Sequence, residues 1–490
     1  MPVAEQSLIL TILTDWRTIL AIVLDVAVAG SVSAHALLHK RDVGSIAGWI
    51  GLAWLSPFFG GALYFVFGIN RVQRRAQALH ENLPGSFPSV LPGIILPAAD
   101  ARLAGSDRDE HLVALGRGAG LITGRPMLNG NTVTTLRNGD EAYPRMLAAI
   151  EAAQSSIALC SYILRDDAAG GPFIDALARA KARDVDVRVL IDGIGGGYFR
   201  SRAYQRLRRK GVPAARFMHA LMPWRMPFIN LRTHKKVLVV DGTDAFTGGL
   251  NIGAENVLGL QPRHPVLDNH FAISGPVVVQ LMEAFADDWL LATGETLDGP
   301  AWFPQLSPTG QQTARVVIAG PDQDIRKIEY VALMAITCAQ RSITVMTPYF
   351  LPDDQLVSAL CIAALRGVAV DIIIPAESNH RLVDFATRAN SGPLLRAGCR
   401  IWKNPPPFDH SKLMVVDGTW ALIGSTNWDV RSFRLNFELN MEVYSTDLAQ
   451  TLLAQMLGKR GDPLTAAELD GRGIALRLRD AGSRLMLPYL

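Results

Sequence analysis

Cysteine is scarce. The four in 490 residues stand at 160, 338, 361 and 399, none in a Cys-x-x-Cys pair or beside clustered histidines. That excludes a disulfide framework and leaves buried free thiols as the plain reading. Charge is sparse too. Charged residues make up 19% of the chain and the net charge is +3, too mild to point to nucleic acid. No His/Asp/Glu triplet has the spacing of metal ligands, so no metal or other cofactor is expected. The opening "MPVAEQ" holds Glu5 and no Lys or Arg. A secretory signal needs a basic start, so Ala34-His35-Ala36 is read as part of the mature chain rather than as a cleavage site.

Charge disappears entirely from residues 43–69, "VGSIAGWIGLAWLSPFFGGALYFVFGI". The run is long enough to cross a bilayer with some tilt, and Pro57 is tolerable in such a helix. An earlier apolar run, about 19–38, carries Asp25, which is costly in lipid unless paired or near the interface. Together they predict a transmembrane hairpin with both ends on one side. Arg17, Arg71, Arg74 and Arg75 would flank the body side, and Lys40 and Arg41 the turn. Four against two leans towards a cytoplasmic body.

"HKKVLVVDG" begins at His234 and "HSKLMVVDG" at His410. After Asp241 six residues lead to Gly248-Gly249-Leu250-Asn251, and after Asp417 six lead to Gly424-Ser425-Thr426-Asn427. His-x-Lys-x4-Asp-x6-Gly-x-x-Asn therefore occurs twice. Chance odds for a second copy are on the order of 10⁻⁴ at ordinary residue usage, so duplication is the better explanation.

The flanking pattern repeats as well. "AYPRMLAAIEAAQ", "SIALCSYIL", "GPFIDALARAKARD" and "VDVRVLID" alternate helix and strand before the first motif. "RKIEYVALMAITCAQ", "SITVMTPYFL", "QLVSALCIAALRG" and "VAVDIIIP" do so before the second. Alternation of this kind predicts an α/β body of two repeats with pseudo-twofold symmetry and a shared cleft. The expected division is a hairpin over 1–80, a Gly- and Pro-rich irregular entry over 81–128, and repeats over 129–300 and 301–490.

Residues i and i+2 of a strand share a face, so His234 points with Lys236 and His410 with Lys412. Asn251 and Asn427 follow glycine-containing loops that let backbone approach a ligand. A cluster of two His, two Lys and two Asn suits a phosphodiester. Lysines and asparagines donate to its non-bridging oxygens; one neutral imidazole attacks phosphorus and one protonated imidazole supplies the leaving alkoxide with a proton. A metal site is the rival reading, but the paired lysines repel a cation. Asp241 and Asp417 belong to the motif and are carried with the catalytic set. Each closes a strand turn, so a structural role is expected of them over direct chemistry.

The doubled motif resembles the phospholipase D superfamily. Blocks such as "GALYFVFG", "GNTVTTLRNGDEAY", "GGLNIGAEN", "TPYFLPD", "GSTNWDVRSFRLNFE" and "LMLPYL" are similar to those of bacterial cardiolipin synthases over nearly the full length. The resemblance implies a membrane phosphatidyltransferase that makes cardiolipin from phosphatidylglycerol. His234 would form a phosphatidyl-histidine, and His410 would serve as acid, then base. An acidic residue after each motif would orient that motif's histidine: Asp268 in "LDNH" and Glu438 in "LNFE". It also implies phospholipid partners and a multi-pass place in the bacterial inner membrane. The chain departs from the family pattern at Thr233, at Ala254 and in "HPVLDNH", none of them a paired His, Lys or Asn. Hydrolysis to phosphatidic acid is the alternative chemistry. A nuclease would favour a more basic face, and a non-enzymatic scaffold predicts decay of one motif, whereas both stand intact.

Overall fold

The two motif strands, Val237–Val240 and Leu413–Val416, are buried along their whole length, as their unbroken apolar runs require. Each ends in Asp-Gly with both residues at positive φ: 51° and 66° at Asp241 and Gly242, 53° and 69° at Asp417 and Gly418. That local pair turns the chain straight into the next antiparallel strand, Asp244–Gly248 or Trp420–Gly424. The computed structural model describes residues 16–40, 43–68, 110–219, 231–320 and 324–484. It divides into two units, Met1–Arg75 and Ala76–Leu490.

In the larger unit seven strands of one half answer seven of the other. From the centre outward the first half runs Leu128–Arg137, Asn269–Ser274, Asp244–Gly248, Val237–Val240, Ser156–Ser161, Asp186–Asp192 and Ala214–Phe217. The second runs Gln312–Ala319, Asn436–Tyr444, Trp420–Gly424, Leu413–Val416, Ser342–Met346, Ala369–Pro375 and Arg400–Asn404. The halves join where Leu128 pairs antiparallel with Ala314. The outer strands are parallel and the rest antiparallel, so the sheet is mixed. Helices cover it through faces set by helical spacing: Tyr143, Met146 and Ile150 in Asn138–Ala152, and Ile328, Val331 and Ala335 in Lys327–Cys338. Each half has its own apolar core.

Two short parallel pairings stitch one half to the other. Arg232–Thr233 lies beside Asn436–Phe437, and Val266–Leu267 beside Phe408–Asp409. Each delivers a motif histidine to a strand of the opposite half.

Part of the stretch expected to be an irregular entry is ordered. Glu110–Thr123 is a helix whose Leu112, Leu115 and Ala119 are buried in the second half's core. Its glycines misled the reading, since they weaken helix propensity. At Gly118 the absent side chain serves contact, because a Cβ would lie 2.2 Å from the Met334 methyl. Residues 81–109 of that stretch lie outside the described residues.

The smaller unit holds the helix Trp16–His39, alone among the described residues in being long and apolar enough to cross a membrane. At ~1.5 Å per residue its 24 residues match a hydrocarbon core of about 30 Å. The second run is not one helix. Val43–Leu55 stops at Ser56, Pro57–Leu63 restarts with proline at its first position, and Tyr64–Gly68 is a π-turn. Proline has no N–H to continue the ladder but fits a helix start, which explains the break. Small residues, Ala29, Val32, Ala36 and Ala53, meet in the middle with Tyr64, and the His35 ring nitrogen Nδ1 lies 2.8 Å from the Tyr64 hydroxyl. Ile19, Leu20, Ile22, Val23, Leu24, Val26, Phe58 and Phe59 face outward, an arrangement that lipid accepts and water penalises. Arg41, Arg71, Arg74 and Arg75, used above for orientation, lie outside the described residues.

Candidate active site

His234 and His410 stand across one cleft, ring centroids 6.5 Å apart with planes at 82°. The cleft encloses about 1270 Å³ and is lined by both histidines together with Asn251 and Asn427. Lys236 and Lys412 are buried beside them, each donating from Nζ to the carbonyl of its own histidine, at 2.5 Å for Lys236. The Asn251 Oδ1 accepts from the Ile163 amide at 3.3 Å, which leaves its Nδ2 free to donate.

Both orienting carboxylates are present, but each serves the other repeat's histidine. His234 Nδ1 lies 3.0 Å from both oxygens of Glu438. His410 Nδ1 lies 2.9 Å from Asp268 Oδ2. The pairing expected from motif order, Asp268 with His234 and Glu438 with His410, is therefore corrected. Register is the reason. Arg232 pairs with Asn436 and Thr233 with Phe437, so His234 falls opposite Glu438; Val266 pairs with Phe408 and Leu267 with Asp409, so Asp268 falls opposite His410. The His234 amide donates to the Phe437 carbonyl at 2.8 Å and the His410 amide to that of Leu267 at 2.7 Å, which continues each ladder.

The carboxylates are themselves held. Glu438 accepts from the Ser425 hydroxyl at 2.5 Å and from Asn436 Nδ2 at 3.1 Å. The residue matching Ser425 in the first repeat is Gly249, where a Cβ would sit 2.3 Å from Asp268 Oδ1. The closer approach of Asp268 there needs glycine.

Asp241 and Asp417 do not reach the cleft, which corrects their place in the catalytic set. Asp241 accepts from the amides of Gln154, Ser155 and Ser156. Asp417 accepts from those of Gln340, Arg341 and Ser342 and lies 2.8 Å from His111 Nε2. A carboxylate at the tight turn thus ties the strand's end to the start of its neighbour, as the turn position suggested. Asp417→Ala should lower stability by about 1–3 kcal/mol, because three part-buried amides lose their acceptor. Thermal unfolding checks this, and turnover per folded molecule should stay within a few-fold.

Burial, then Lys236 and Lys412, holds the His234 imidazole well below its ordinary value. Burial, the same lysines and His234 do so for His410. Burial also pushes Asp268 and Glu438 up to about 7, and draws Lys236 down to about 8 and Lys412 to about 7. Around neutral pH these four groups share protons beside two imidazoles held in the neutral form, and an arriving phosphodiester adds a further negative charge. That charge favours the protonated form of every titrating group in the cluster, the imidazoles included. Binding of a non-hydrolysable phosphodiester near pH 7 should therefore take up protons, up to one per site. Calorimetry in two buffers of different ionisation heat measures this; proton release would contradict it. The lysines lose charge as pH rises through 7–8, so kcat/KM should fall over that window. The acid limb, set by protonation of His234, should lie well below pH 6.5.

Sequence reading missed Tyr162, Arg232, Ser425, Arg431 and Asn436. Tyr162 meets the His234 ring edge-on at 5.0 Å, and Tyr349 meets His410 at 6.3 Å. Their matched places in "SYIL" and "PYFL" were the available signal.

A family model described as "Cardiolipin synthase, PLD-like domain" matches residues 146–289 and 333–458. The chain is 33% identical over 460 residues to the cardiolipin synthase of Geobacillus thermodenitrificans, covering 92% of this chain and 90% of the relative. It is 32% identical over 474 residues to cardiolipin synthase A of Pseudomonas aeruginosa, covering 95% of each. Among solved structures, the phosphatidylserine synthase of Haemophilus influenzae matches 73% of this chain and 95% of its own, with TM-score 0.54 and 17% identity, a likeness of fold. A doubled His-Lys site in a two-repeat α/β body, with relatives alike from end to end, leaves one assignment: the chain belongs to the cardiolipin synthase family of phospholipase D-like phosphatidyltransferases.

Proposed function

We propose that the cleft makes cardiolipin from two molecules of phosphatidylglycerol through a phosphatidyl-histidine on His234. The observation that carries this reading is the crossed pair of His–carboxylate contacts at 2.9–3.0 Å around a 6.5 Å gap. Glu438 holds the proton of His234 on Nδ1 and turns the Nε2 lone pair to the gap. Nε2 attacks phosphorus and the bond to the glycerol oxygen breaks. That oxygen takes a proton from His410, whose imidazolium Asp268 stabilises. Lys236, Lys412, Asn251 and Asn427 hold the non-bridging oxygens as negative charge grows. The second phosphatidylglycerol then loses its hydroxyl proton to His410, and its oxygen bonds to phosphorus as the bond to Nε2 breaks. His234 is left neutral. Each histidine ends as it began, so one pair of groups runs both half-reactions.

The domain division given by the sequence belongs to this proposal, as does a multi-pass anchor in the bacterial inner membrane with the body on the cytoplasmic side. The outward apolar faces of the hairpin support the anchor. Purified full-length protein given phosphatidylglycerol alone should release glycerol and form cardiolipin. Release of phosphatidic acid instead would make the enzyme a hydrolase.

Removing residues 1–75 should leave turnover of a soluble phosphodiester and lower turnover of bilayer lipid, since a tether raises effective concentration without new contacts. Arg206 and Lys210 are paired with Asp166 and Asp175, so residual adhesion falls to groups such as Arg208 and Arg209 and should vanish in salt. The assay compares both substrates at low and high salt. Equal bilayer turnover by the truncated and full chains in high salt would remove the anchor from the account.

A further inference from the structure

The two-fold that relates the catalytic residues fails at two positions in the cleft wall. Two residues before His234 stands Arg232; two before His410 stands Phe408. Four after Asn251 stands Glu255; four after Asn427 stands Arg431. All four line the cleft. The symmetry operation therefore carries an arginine pair onto a phenylalanine and a glutamate, and that glutamate is already paired with Arg165 at 2.7 Å.

Strand alternation puts Arg232 on the same face as His234. Its Nη1 donates to the Tyr162 hydroxyl at 3.0 Å, a neutral partner. Its Nε is buried and donates to nothing among the described residues, where Arg232 also has no carboxylate at ion-pair distance. Two acids act on the pair by charge, Asp192 on both arginines and Asp429 on Arg431, while each also holds backbone amides. Asp192 accepts from the amides of Thr233, Ile194 and Gly195, and Asp429 from that of Ser432 at 2.7 Å. Arg431 is near enough to feel Arg232 as a repelling charge, second to burial among the causes that lower it. Two guanidiniums in one half-buried wall, with a donor unmet, form a site for an anion with several oxygens.

Resting on the transferase reading above, we propose that Arg232 and Arg431 form a second phosphate subsite, which holds the phosphate of the acceptor phospholipid while its hydroxyl attacks the phosphatidyl group on His234. One phosphodiester lies between the histidines, and the product of this reaction contains two. The acceptor carries hydroxyl and phosphate on one glycerol, so its oxygen can meet phosphorus on the His410 side while its own phosphate rests along the wall. A water molecule or a neutral alcohol gains nothing from that wall. The subsite therefore favours transfer to an anionic lipid over hydrolysis.

Soluble acceptors isolate the effect. Full-length protein in mixed micelles receives phosphatidylglycerol as donor and either isotope-labelled glycerol or isotope-labelled glycerol 3-phosphate as acceptor, and incorporation of label into lipid is read. The wild type should prefer the phosphorylated acceptor by about tenfold or more in kcat/KM, the scale of one charge-assisted contact. Arg232→Gln and Arg431→Gln should each lower that ratio towards one, mainly through a higher KM for glycerol 3-phosphate. Arg→Lys should keep part of it. The ratio is internal to each variant, so it does not depend on the folded fraction. An unchanged ratio in the glutamine variants, an equal collapse on both acceptors, or a wild type without preference overturns the subsite. A wild type that releases only phosphatidic acid overturns it together with the transferase reading, which separates the two failures.

Discussion

Replacing His410 with alanine should cut cardiolipin formation by about 10²–10⁴-fold, the usual contribution of a positioned acid or base. A phosphodiester with a nitrophenyl leaving group should recover much of the first step, because its leaving oxygen needs little protonation. Phosphatidyl-enzyme should then accumulate, since the variant also lacks the base that activates the acceptor. His234→Ala should lose about 10⁴-fold or more and gain nothing from the better leaving group, because the bond-forming nitrogen is absent. Initial rates on both substrates, with single-turnover bursts, decide the matter. Rescue of His234→Ala alone would exchange the two roles, and equal rescue of both would argue against a covalent intermediate.

The crossed pairing makes the carboxylates equally informative. Glu438→Gln and Asp268→Asn keep shape but remove the charge that fixes each imidazole, and each should cost about 10²–10⁴-fold in kcat, as for the carboxylate of other acid–base triads. The pattern of rescue is the sharper test. Glu438 holds His234, so Glu438→Gln should resist a good leaving group as His234→Ala does. Asp268 holds His410, so Asp268→Asn should respond as His410→Ala does. Pairing by motif order predicts the opposite pattern. Because the variants are near-isosteric, unfolding should be similar to wild type in a melting assay, and the difference lies in chemistry.

What could be read from the chain alone was whatever spacing encodes. Repetition implied two halves around one cleft, whereas the strand alternation read for His234 with Lys236 and His410 with Lys412 does not hold, because the strands begin only at Val237 and Leu413 and each lysine turns back to its own histidine's carbonyl. The helix read in "AYPRMLAAIEAAQ" is present within Asn138–Ala152, and its buried face is Ala142, Tyr143, Met146 and Ile150. The crossing of the carboxylates was not legible, because it depends on two-residue pairings between strands some 140 to 200 positions apart, Val266 with Phe408 and Arg232 with Asn436. No local pattern carries such a register. The helix Glu110–Thr123 was obscured by glycines that its packing against Met334 and Arg315 favours over larger residues. The break at Ser56 was signalled by Pro57 and overridden by an uncharged run. Arg232 and Arg431 carry no spacing signal of their own; only the fold sets them in the cleft wall.

The central claim is that the phosphatidyl group rests on His234 between donor and acceptor. It is tested most directly by mixing His410→Ala with a phosphatidyl donor that carries a nitrophenyl leaving group, stopping the reaction in denaturant at alkaline pH, where a phosphoramidate survives, and locating the adduct by peptide mass spectrometry. The account predicts a phosphatidyl modification on the peptide carrying His234, absent from His234→Ala treated in the same way. An adduct on any other residue, or turnover of donor with no adduct at any time, would contradict it.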